Sequence, residues 1–139
     1  MQANRLAVGV VGVGYLGRFH ALIHARHPDV ELIGVADTDL DTARKVAAEV
    51  GCEAFSDAAD LVARVEAVSI VVPTTAHLAV ARLCLDRGIH VLLEKPIAAT
   101  VGQGREIVEA AERAGVILQI GHLERFNAGV MTLAGRIYS

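Results

Sequence analysis

Gly12-Val13-Gly14-Tyr15-Leu16-Gly17 has the most specific chemical spacing in this chain. In such a loop the first glycine permits a tight turn and the second lets the backbone approach a pyrophosphate. The third allows a helix to pack closely on a strand. A helix that opens there turns unpaired N–H groups and a partial positive charge toward phosphate oxygens. The spacing by itself is a weak signal. Here it leaves an apolar run, Leu6–Val13, and enters an expected helix, Tyr15–Arg26, and that context makes it read as a dinucleotide loop. The bland alternative is a tight strand–helix turn without a ligand.

A second run ends at Val35-Ala36-Asp37, with Asp37 20 residues beyond Gly17. A carboxylate at that place accepts hydrogen bonds from the adenosine ribose hydroxyls and repels a 2′-phosphate. Thr38, Asp39, Leu40 and Asp41 follow without an arginine, so the segment favours NAD over NADP. The competing reading is that Asp37 or Thr38 only caps the next helix. Val72-Pro73-Thr74-Thr75-Ala76-His77 follows the fourth run. Ligands of doubly wound sheets bind outside the carboxyl ends of strands, so Val72, Pro73 and Thr74 are candidate cofactor contacts. Thr74 or Thr75 is suited to capping the next helix, and His77 reads equally as a cofactor contact or a structural hydrogen-bonding group.

Glu94-Lys95-Pro96 closes the fifth run. The chain has two lysines, and Lys45 reads as a solvated helix residue. Lys95 at a strand end, beside a nicotinamide, has the chemistry to hydrogen-bond a substrate hydroxyl and help shuttle its proton. The alternative is a surface salt bridge with Glu94. His20, His24 and His27 share one side of the first helix, but no carboxylate or cysteine joins them locally, so a structural stripe is favoured over a metal site. Cys52 and Cys84 read as small apolar side chains.

These residues need elements to hold them. Nearly continuous apolar runs at Leu6–Val13, Val30–Ala36, Ala67–Val72, His90–Leu93 and Val116–Ile120 read as strands covered on both faces, with Glu53–Phe55 a short addition. Helical segments fall between them at Tyr15–Arg26, Leu40–Val50, Ala58–Arg64, His77–Arg87 and Val101–Ala114. Thr100 is an expected N-cap, and Gly51, Gly88 and Gly115 stand where left-handed residues are wanted. Arg105, Glu109 and Arg113 mark a solvated side of the last helix, with Val101, Val108 and Ala111 on another. The alternation predicts an α/β fold, a doubly wound, mostly parallel Rossmann sheet.

The 139 residues amount to one domain, and 53% hydrophobic against 21% charged residues excludes disorder. A net charge of −3 and pI near 6.0 offer no footprint for nucleic acid or anionic membrane. The longest apolar run, Leu6–Gly14, is about half of the ~20 residues a membrane span needs. No secretory leader is expected, and two cysteines make no disulfide framework. A reduced, cytoplasmic protein is the expectation.

Taken in order, Gly12–Gly17, Pro73–His77 and Glu94-Lys95-Pro96 resemble the nucleotide-binding half of the glucose–fructose oxidoreductase/inositol dehydrogenase (Gfo/Idh/MocA) family. Gly121-His122-Leu123-Glu124-Arg125-Phe126-Asn127 is similar to a subgroup that oxidises the 3-hydroxyl of UDP-N-acetylglucosamine. The resemblance implies NAD as cofactor and a sugar or sugar nucleotide as substrate. It further implies that Lys95 polarises or positions the reacting hydroxyl, that Glu94 and Lys95 lie near the nicotinamide ribose, and that His77 sits beside the cofactor. His122, Arg125 and Asn127 become candidate substrate contacts. The chain departs from the family at Val72-Pro73-Thr74, where Thr-Pro-Asn is frequent, and at Ala128, where the subgroup has proline. Members also carry a second, antiparallel-sheet domain with a catalytic histidine. The expected organisation is therefore a dinucleotide-binding domain over 1–121, with 122–139 starting the connection to a substrate domain. The competing function is a non-catalytic NAD-binding module, a redox sensor or partner subunit; oligomeric state is open, a homo-oligomer included.

Overall fold

The computed structural model describes residues 4–121. Six strands, β1 (Leu6–Val11), β2 (Val30–Ala36), β3 (Glu53–Phe55), β4 (Ala67–Ile70), β5 (His90–Glu94) and β6 (Leu118–Gly121), form one sheet in the order β3-β2-β1-β4-β5-β6. All five pairings are parallel, as the strand–helix alternation predicts. Five helices connect them: α1 (Tyr15–Arg26), α2 (Leu40–Val50), α3 (Ala58–Val62), α4 (His77–Leu85) and α5 (Val101–Ala114). One apolar cluster gathers Val10, Val13, Ala21 and Val35 with α2 residues Ala43 and Val46. The larger one packs Leu61, Ile70, Leu85, Leu93 and Ile107, drawn from α3, β4, α4, β5 and α5. Among the described residues no helix is long and apolar enough to cross a membrane.

Register decides what the sheet can display. Val11 pairs with Ala36 on one side and Ile70 on the other, Ile70 with Leu93, and Glu94 with Gly121. The carboxyl ends of the strands therefore share one rim. Beyond it come Gly12, Asp37, Val71 and Lys95. The chain leaves the adjacent strands β1 and β4 through helices that pack into different clusters, α1 and α4. That divergence opens a crevice between them, where α/β sheets bind ligands.

Several local expectations are corrected. β4 ends at Ile70 rather than Val72, although Val71 N–H still donates to Val11 at 2.8 Å. Neither Thr74 nor Thr75 caps α4; the chain enters it through a 3-10 turn, Thr74–Ala76, closed by Ala76 N–H donating to the Pro73 carbonyl at 2.8 Å. On α5 the sheet-facing stripe is Gly104, Ile107, Ala110 and Ala111, while Val101 and Val108 are exposed. Glycine at 104 lets the helix sit near Ile97, whose Cγ2 would be 3.3 Å from a Cβ there. The buried stripe is thus Ile107 flanked by small residues, with the two valines left outside it.

α1 is also tied to the sheet by His24, whose Nε2 is 2.8 Å from Ser69 Oγ of β4. Burial, and then the neighbouring charges of His20 and His27, hold the His24 pKa below its ordinary value. Below about pH 6.5 the unfolded chain takes a proton that folded His24 refuses, so stability falls as pH drops through that value toward the lowered one. Urea midpoints should decline between about pH 7.5 and 5.5, and His24→Gln should flatten the decline. Parallel slopes for the two proteins would contradict the assignment.

Candidate functional site

Between β1 and α1 the backbone turns sharply at Gly12, which has φ +88°, a region that disfavours side chains. A Cβ there would also stand 2.5 Å from the Val71 carbonyl oxygen of the neighbouring strand exit. Gly17 has a different reason. Its Cβ would fall 1.8 Å from the Gly12 carbonyl oxygen, so α1 lies directly on the turn that precedes it. Gly14, the N-cap of α1, has φ −67° and nothing within 4 Å of a Cβ. Neither backbone strain nor packing within the described residues demands glycine at 14. The space it leaves lies over the start of α1, which has no side-chain cap and no acidic residue in its first turn. Free amide donors face that space, and it fits a diphosphate.

Asp37 continues the same rim. Its Oδ2 accepts the Val13 N–H at 3.0 Å and its Oδ1 accepts the Asp39 N–H at 2.9 Å, while Asp37 N–H donates to the Phe55 carbonyl at 3.1 Å. The carboxylate is thus held by backbone on both oxygens and keeps further lone pairs for hydroxyl donors. Asp39 is the residue that caps α2, accepting from Asp41 and Thr42 amides. That settles the local competition: neither Asp37 nor Thr38 is the cap. A cleft of about 740 Å³ runs along this rim, lined by Gly12, Gly14, Asp37, Thr38, Val72 and Pro73 together with Ser56, Ala58, Ala76 and Val80. One carboxylate and two hydroxyls in a largely apolar wall suit a ribose with a flat base beside it.

The remaining candidates take other places. Tyr15 is 84% exposed and Leu16 40%, both at the α1 start. Thr74 is half-buried in the 3-10 turn. His77 is 1% exposed and absent from the cleft wall; its ring lies between the Val72 and Ile97 carbonyl oxygens, at 3.0 and 3.2 Å. It joins the β4 exit to the segment after β5, which is the structural alternative of its two readings. Glu94 is 6% exposed and its Oε1 lies 2.9 Å from His20 Nε2. The Glu94–Lys95 surface salt bridge is therefore replaced by a pair within the fold. Lys95 is exposed at the β5 end, joined to Pro96 by a cis peptide, and no carboxylate pairs with it among the described residues. His122, Arg125 and Asn127 lie outside the described residues.

Residues 6–122 match the oxidoreductase family described as having an NAD-binding Rossmann fold. The chain belongs to this family. It is 40% identical over 128 residues to UDP-N-acetylglucosamine 3-dehydrogenase of Acidithiobacillus ferrooxidans, covering 92% of this chain and 40% of that protein. It is also 40% identical over 130 residues to inositol 2-dehydrogenase of Rubrobacter xylanophilus, covering 91% of this chain and 38% of that one. The solved structure of the WlbA dehydrogenase from Bordetella pertussis, in complex with NADH and UDP-GlcNAcA, superimposes with a TM-score of 0.91 at 28% identity. It covers 97% of this chain and 42% of that structure. The chain thus spans about 40% of the length of these relatives.

Within this NAD-binding Rossmann domain of the Gfo/Idh/MocA family, Ser56, Ala58, Ala76 and Val80 are cleft residues that sequence reasoning missed. Ser56 was within reach, because it follows β3 and the strand-end rule applies to it as to Asp37. Ala76 and Val80 were not, since they meet the cleft only through the 3-10 turn that leads into α4. The cysteines stay apart from the chemistry: burial pushes the Cys52 thiol up to about 11 and the Cys84 thiol up to about 12. Neither supplies a thiolate nucleophile at neutral pH.

Proposed function

We propose that this chain is the cofactor-binding part of an NAD-dependent dehydrogenase that oxidises a secondary hydroxyl of a sugar or sugar nucleotide, with C3 of UDP-N-acetylglucosamine as the specific target. The observation that carries the reading is the shared rim, which puts the dinucleotide loop, Asp37 and Lys95 beyond aligned strand ends. Similarity to UDP-N-acetylglucosamine 3-dehydrogenase supports the choice of substrate. In this reading residues 1–121 form the dinucleotide-binding domain, and 122–139 lead toward the substrate side. The protein works in the cytoplasm, and its two free cysteines are in keeping with that.

The chain's own residues divide the work. The amides at the start of α1, left open by Gly14, hold the diphosphate. The Asp37 carboxylate, fixed by Val13 and Asp39 amides, accepts the adenosine ribose hydroxyls and repels a 2′-phosphate. Val72 and Pro73 wall the adenosine side, and His77 keeps that wall in register with the segment after β5. NAD supplies the hydride acceptor. Lys95 hydrogen-bonds the substrate hydroxyl and helps pass its proton on. His122, Arg125 and Asn127 are assigned to the substrate by their motif.

Calorimetric titration of this chain with NAD and then NADP tests the cofactor half. NAD should bind at least about tenfold more tightly, a difference of ~1.4 kcal/mol. Equal or stronger binding of NADP would overturn it. For the chemical half, a preparation that oxidises the sugar nucleotide should lose about 10²–10⁴-fold in kcat on Lys95→Ala, the usual range for proton-transfer groups. Retention of most turnover would remove Lys95 from the reaction and favour a pure binding module.

A further inference from the structure

α1 touches the residue before the proposed catalytic lysine as well as opening at the proposed diphosphate site. His20 stands five residues past Tyr15, about 7.5 Å along the axis at ~1.5 Å per residue. From there Nε2–H donates to Glu94 Oε1 at 2.9 Å, and the two side chains are only 12% and 8% exposed. Gly121 of β6 lies against the same carboxylate. A Cβ on it would sit 2.8 Å from Glu94 Oε1 and 3.1 Å from Oε2, so the absence of a side chain there makes room for the Glu94 head. The carboxylate is enclosed between an imidazole of α1 and the backbone of β6. A carboxylate removed from water needs such a charge-assisted donor to stay in place. His24, bonded to Ser69 one turn later, fixes the helix about its axis and keeps the His20 ring turned toward β5.

Lys95 is the next residue after Glu94. Its side chain is exposed and leaves the backbone directly after the residue that His20 holds. We infer that His20 is a positioning residue for Lys95: by clamping Glu94 it aims the lysine at the substrate side of the cofactor, so one rigid helix sets both diphosphate and lysine. This rests on the role given to Lys95 above.

The chain has two lysines, so labelling of Lys95 is easily assigned. Each protein is treated with trinitrobenzenesulfonate, with and without saturating NAD, and labelling of Lys95 relative to a lysine-containing reference peptide added to the reaction is read by peptide mass spectrometry. In the wild-type chain NAD should slow Lys95 labelling by about fivefold or more, as expected for a group covered by ligand. With His20→Phe, protection should fall below about twofold although NAD remains saturating, because the clamp is lost while the α1 amides are kept. His20→Gln, which can still donate to Glu94, should restore it. Full protection in His20→Phe would overturn the inference. Bound NAD without protection in the wild type would instead remove Lys95 from the nicotinamide, and this inference with it. Should His20→Phe fail to fold, nitrogen-15 spectra of the ring decide. They should show a slowly exchanging His20 Nε2 proton that is lost in Glu94→Ala, and a freely exchanging proton in the wild type would overturn the clamp.

Discussion

Gly17→Ala should cost this domain about 3 kcal/mol or more, well above the usual effect of adding one methyl group to a helix. The methyl would fall 1.8 Å from the Gly12 carbonyl oxygen, and that neighbour is backbone, with no rotamer to move aside. α1 would have to lift from the β1 exit, pulling Ala21 from the cluster it shares with Val10 and Val35. The comparison that gives the result meaning is Gly14→Ala, where the same methyl group enters open space. Its stability should stay within about 0.5 kcal/mol of the wild type, while NAD affinity drops at least about tenfold because the methyl occupies the approach of the diphosphate. Denaturant unfolding and NAD titration of both variants separate the two roles. A Gly17→Ala protein of unchanged stability, or a Gly14→Ala protein of unchanged affinity, would refute the corresponding half.

Asp37→Ala should weaken NAD binding roughly 10²–10⁴-fold, since two hydrogen bonds to a charged acceptor, each ~1.5–3 kcal/mol, are removed from the ribose. The substitution also takes away the acceptor of the Val13 and Asp39 amides, so a stability loss of about 1–3 kcal/mol should accompany it. Asp37→Ser combined with Thr38→Arg goes further. Loss of the carboxylate relieves repulsion of a 2′-phosphate, and the arginine offers it a bidentate partner. The double variant should prefer NADP, read by titrating both dinucleotides. Continued preference for NAD would mean that Asp37 does not set the choice.

How far the sequence could be read depended on the range of the interaction. The boundaries of α1, α2, α5 and β2 come from local signals: apolar runs, Thr100 as a cap, and left-handed glycines at 51 and 115. The parallel direction of the strands followed from alternation, because each helix returns the chain by a right-handed crossover, whereas the strand order came only from the fold. α4 starts at His77 as expected, but its entry was less legible, since Ala76 N–H pairs with the Pro73 carbonyl and neither threonine caps the helix. Choices between equally good hydrogen-bond partners leave little trace in residue type.

The side-chain pairings needed the fold. His20 and Glu94 are 74 residues apart, and His24 and Ser69 are 45 apart. A histidine stripe without a local carboxylate became a set of ties between α1 and the sheet. His77, equally readable as ligand contact or brace, was placed between two carbonyls. Period and punctuation act within a few residues and are written along the chain. Which atoms meet across the sheet is set by strand order and register, and these exist only once the apolar faces have packed.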